Sequence, residues 1–136
     1  MRFMMFIYPK LQGKSGGGAD NWMPPAEAVA AMSRYNDELT KAGVLLSLDG
    51  LHSPEEAVRV QFPSGKPPVV KDGPFTEAKE MIGGYWVIDV KSQEEAIEWA
   101  KRCPLGEGAA EIEVRQVFEL SEFPPDLQAA AGYSGK

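Results

Sequence analysis

A chain of 136 residues with 43% hydrophobic and 25% charged content has the size and balance of one globular domain around a single core. Its net charge of -6 excludes a nucleic-acid backbone as the main partner, because phosphate binding needs a basic face. One cysteine, Cys103, and one histidine, His52, exclude an internal disulfide and a zinc site of the usual His/Cys type, and point to a reducing, cytoplasmic setting.

Residues 2–8 (RFMMFIY) are nearly all apolar and predict a central strand, with Phe3, Met5 and Ile7 on one face and Met4, Phe6 and Tyr8 on the other. The run stops at Pro9, too short for a signal core or a membrane span. Residues 11–21, with three consecutive glycines, predict a loop. Its Gly13-Lys14-Ser15 is not a phosphate loop, because Tyr8 stands where that motif needs its first glycine. Pro24-Pro25 opens a helix whose Ala28, Met32, Tyr35, Leu39 and Ala42 make one apolar stripe, ended by Gly43.

A second strand over 44–48 ends at Asp49-Gly50, and a third over 58–62 alternates Val58, Val60 and Phe62 with polar residues. A turn through 63–68 and a short strand over 69–71 complete an accessory hairpin between the two halves of the domain. The charged turn Asp72-Gly73-Pro74-Phe75-Thr76-Glu77-Ala78-Lys79-Glu80 then leads into the strand 82–90, where Trp86 and Tyr85 take opposite faces. Ser92 and Glu95 form a capping box for a helix that buries Ala96, Trp99, Ala100 and Cys103 and stops at Pro104. A last strand runs over 111–118.

The order is strand, helix, strand, hairpin, strand, helix, strand. It predicts an α+β, ferredoxin-like βαββαβ domain over 1–123, followed by a loosely attached tail over 124–136. Two helices cover one face of the sheet; the other, with its aromatic and aliphatic residues, is expected to pack against a second copy, giving a homodimer.

Asp72 is the sharpest candidate for chemistry. Its carboxylate either caps the turn that follows or serves as a general base in an apolar cleft. His52 is the one side chain with an ordinary pKa near neutrality and is its candidate catalytic partner. Thr76, Glu77, Lys79, Glu80 and Tyr85 are the candidate ligand contacts, and Lys79 suits an anionic group. No cofactor and no metal are expected.

Residues 72–80, Gly83-Gly84-Tyr85-Trp86 and Ala100-Lys101-Arg102-Cys103-Pro104 resemble the YCII-related family in its DGPF-domain branch, and the likeness extends over nearly the whole chain. The resemblance implies a dimeric α/β barrel similar to muconolactone isomerases and small monooxygenases, most members having no assigned activity. It also implies an association with sigma factors, and, in the YCII branch proper, a catalytic His–Asp pair with the histidine on the first helix. Residues 24–42 carry no histidine, and Met32 stands near that place. The functions expected are therefore three: a small-ligand-binding protein with proton-transfer chemistry beside the DGPF turn, a non-catalytic regulatory module, or a cofactor-free monooxygenase.

Overall fold

The computed structural model describes residues 1–9, 24–72, 82–105 and 110–132. Four strands form the main sheet: β1 (Arg2–Tyr8), β2 (Leu45–Gly50), β5 (Gly84–Asp89) and β6 (Glu111–Gln116), in the order β2-β5-β1-β6. Every pairing is antiparallel. With the helices α1 (Ala26–Lys41) and α2 (Gln93–Lys101) in the two crossovers, this is the ferredoxin-like arrangement. The apolar first strand is central, as its two-sided pattern requires.

Alternation decides what each face carries. Phe3 and Met5 of β1 and Trp86 and Ile88 of β5 point to the helices and are buried with Tyr35 and Leu39 of α1 and Ala96 and Trp99 of α2. Complete burial of a side chain such as Leu39 or Ile88 contributes about 1.5–3 kcal/mol. Trp86 is fixed twice over. Its ring meets Tyr35 edge-on at 5.8 Å, and its Nε1 donates to Asn36 Oδ1 at 2.8 Å. The Tyr35 hydroxyl donates across to the Trp99 carbonyl at 2.7 Å, joining the two helices.

The helix ends follow the local sequence. Gly43, at φ +76°, allows the Val44 amide to reach the Leu39 carbonyl and its own amide to reach Thr40, which closes α1. Ser92 accepts from the Glu95 amide at 3.1 Å. The Glu95 carboxylate reaches back one residue further than a standard box, to the amide of Lys91 at 3.0 Å.

The hairpin, β3 (Val58–Gln61) and β4 (Val69–Asp72), is a separate two-stranded sheet, exposed along its whole length. Asp72 is the last residue of β4, opposite Val58, where sequence reading put it in the turn. The C-terminal segment contains a 3-10 turn (Leu120–Glu122) and the short helix α3 (Pro125–Ala130). Arg2 grips Glu119 through two hydrogen bonds of 2.8 and 3.0 Å. Among the described residues no helix is long and apolar enough to cross a membrane.

Candidate functional site

The site is built where the chain leaves the main sheet for the hairpin. Gly84 lets β2 and β5 close together there: a Cβ on it would lie 2.8 Å from the Asp49 carbonyl oxygen and 3.3 Å from Gly50 Cα. The Leu51 amide still donates to Gly83 at 2.9 Å, so the loop departs from a fixed point. Ser53, 5% exposed, then caps the 3-10 turn Pro54–Glu56 by accepting from the Glu55 amide. That turn carries Glu56 back toward His52, and Nδ1 of the imidazole lies 3.1 Å from Glu56 Oε2.

Between this turn, the start of β3 and the start of β5 lies an open groove of about 400 Å³. Leu51, Pro54, Ala57 and Ile82 give it apolar walls, and His52, Ser53, Glu56 and Arg59 supply polar groups. Apolar walls beside a few polar groups are the composition small-molecule sites use, here in a groove that is wide open to solvent. His52 is on the water side, with its side chain 88% exposed.

The sequence candidates divide around this groove. His52 lines it. Asp72 pairs with Val58, the neighbour of the lining residue Ala57, but does not itself line the groove. Among the described residues the hydrogen bond of His52 goes to Glu56, not to Asp72. Thr76, Glu77, Lys79 and Glu80 lie outside the described residues. Tyr85 is elsewhere, on the face of the sheet opposite the helices, and Trp86 takes the core side.

That open face holds an arrangement sequence reading missed. In register across four strands stand Asp49, Tyr85, Phe6 and Glu113, with Tyr8 and Glu111 in the adjoining rung. The Tyr85 hydroxyl donates to Asp49 Oδ2 and the Tyr8 hydroxyl to Glu113 Oε1, each at 2.9 Å. Both phenols are held above their ordinary pKa, first because ionisation would break the bond to the carboxylate. The Asp49–Tyr85 partnership needs strands 36 residues apart and Tyr8–Glu113 strands 105 apart, so only the sheet order reveals them.

Other candidates are scaffold. Met32 packs against the core with its sulfur 3.9 Å from Cys103 Sγ. Burial pushes the Cys103 thiol up to about 12, far from the range of a reactive thiolate. Burial also raises Tyr35 well above the usual phenol range. Among the described residues no three His, Cys, Asp or Glu side chains converge to hold a metal ion.

The sequence profile of the YCII-related domain matches residues 1–121. An uncharacterized protein of Rhizobium meliloti (strain 1021) is 27% identical over 96 residues, which span 68% of this chain and 77% of that protein.

Proposed function

The chain belongs to the YCII-related family, and from that premise we propose that it is a small-ligand-binding protein of the DGPF type whose site is the groove between Leu51 and Ile82. The carrying observation is the position of that groove. It has apolar walls and a few polar groups, and its lining residues Ala57 and Arg59 flank Val58, the cross-strand partner of Asp72, while Ile82 closes its other side. The ligand class that fits is a small organic acid or carbonyl compound with an apolar body facing Leu51, Pro54 and Ile82 and one polar group facing Arg59 or His52.

Proton transfer is the chemistry proposed for such a ligand, without a cofactor. With Nδ1–H donated to Glu56, the imidazole of His52 presents the lone pair of Nε2 as a base. Asp72, the candidate general base of the sequence, is proposed to assist from the end of β4 as a carboxylate. The protein is proposed to act as a homodimer through the open sheet face, in the cytoplasm.

Saturation-transfer NMR with benzoate and levulinate tests the reading. Ala57→Trp should fill the groove and abolish transfer to both probes, with the fold unchanged by circular dichroism. In D2O, wild type should exchange the protons beside the levulinate carbonyl, and His52→Asn should not. Equal transfer in wild type and Ala57→Trp would contradict the groove; binding without exchange would remove the catalysis and keep the binding.

A non-catalytic regulatory module, acting with a sigma factor or another protein, is the second reading. The observation favouring it is the exposed apolar surface of the hairpin, where Phe62 is 77% and Val70 64% exposed.

A further inference from the structure

The polar groups of the groove stand at two depths. The side chains of His52 and Glu56 are 88% and 60% exposed, and Arg59 is exposed as well, so these three sit at its mouth. Ser53 is 5% exposed and lies at its floor, with the half-buried Pro54, Ala57 and Ile82. In a groove open to solvent, an exposed group discriminates weakly between ligands because water competes for it. A polar group held out of water discriminates more sharply, since leaving it unpaired is costly.

The turn fixes Ser53 through its acceptors and does not use its donor. The Ser53 carbonyl accepts from the Glu56 amide at 2.9 Å, and its hydroxyl oxygen accepts from the Glu55 amide at 3.3 Å. A serine hydroxyl also has one proton to give. Among the described residues that proton has no acceptor, and the Glu56 carboxylate is engaged with His52 instead. Folded proteins leave few buried donors unmatched. Capping alone does not require a donor, because Asp or Gly would cap the turn as well. The hydroxyl proton is therefore the feature of Ser53 that the fold does not explain, and it lies in the wall of a groove.

We propose that the Ser53 hydroxyl is the specificity-determining donor of the groove, and that the ligand it selects carries a neutral carbonyl at its inner end. The inference rests on the groove being the ligand site and names the chemistry that the site prefers. The class follows from charge. One neutral hydroxyl among Pro54, Ala57 and Ile82 matches a carbonyl lone pair. A carboxylate lowered onto it would give up its water for a single hydrogen bond, which leaves most of its desolvation uncompensated. A charged group on the same ligand stays at the mouth, beside His52 and Arg59, as it would in a short keto acid.

Two neutral probes of one shape test the donor: acetophenone, and α-methylstyrene, which has a methylene in place of the carbonyl oxygen. Their dissociation constants are read from amide proton–nitrogen NMR titrations of the full chain, followed at Leu51, Arg59 and Ile82. Ser53→Gly keeps a favoured N-cap residue and removes the hydroxyl. It should lower the affinity for acetophenone relative to α-methylstyrene about fivefold, the effect of one ordinary hydrogen bond, with α-methylstyrene bound as in wild type. Ser53→Thr, which retains donor and acceptor, should hold the wild-type ratio within about twofold. A serine that only caps the turn would weaken both probes alike in Ser53→Gly, or neither. A ratio unchanged within about twofold would thus overturn the donor and keep the groove. Wild-type titrations that move none of these amides with either probe would overturn the groove, and the donor with it.

Discussion

Gly84 sets the spacing at which β2 and β5 meet, and with it the place from which the groove loop departs. The atoms a new Cβ would strike, Asp49 O and Gly50 Cα, are backbone and cannot rotate away. Gly84→Ala must therefore displace the end of β2, at a cost of about 1–3 kcal/mol for an overpacked site. The shift would also disturb the Tyr85–Asp49 bond beside it. Urea unfolding should show that loss; a change under about 0.5 kcal/mol, ordinary for a surface substitution, would mean the strands can part without cost. At this scale the sequence was only partly legible. The opposite faces of Tyr85 and Trp86 follow from alternation alone. The partner of His52 depends on the turn Pro54–Glu56 folding Glu56 back four residues, a geometry that the composition of a loop does not specify.

The elements were the most legible level, because caps and periodicity are local. The stripe Met32, Tyr35 and Leu39 faces the core, Gly43 ends α1, and Ser92 caps α2. The cap carries a prediction of its own. Ser92→Ala removes the acceptor for the Glu95 amide and should destabilise the domain by about 1 kcal/mol, within the usual range for a lost N-cap. Chemical denaturation would read it, and a neutral effect would show that Glu95 bonding to Lys91 holds the helix start unaided. Boundaries were less legible than elements. Asp72 closes β4 because the ladder with Val58 extends through it, and a residue before Gly-Pro gives no local sign of that pairing. The hairpin was legible as a hairpin but not as a separate sheet, since only three-dimensional placement shows that, among the described residues, its apolar face meets no core.

For the whole molecule, the βαββαβ order was readable from the succession of patterns, and the sheet order β2-β5-β1-β6 follows from it. The groove was not readable as a unit. Its described walls come from residues 51–59 and from Ile82, which meet because β2 ends and β5 begins at the same end of the sheet, Gly50 opposite Gly84. The same end brings the groove and the base of the hairpin together.

The central claim is that this junction is where a ligand sits. Its most direct test is a benzoate titration followed in the amide proton–nitrogen NMR spectrum of the full chain. The account predicts saturable shifts centred on the amides of Leu51, His52, Ser53, Arg59 and Ile82, with the core amides of Ile88 and Leu39 unmoved. Shifts centred instead on Phe6 and Tyr85, or none at saturating probe, would contradict it.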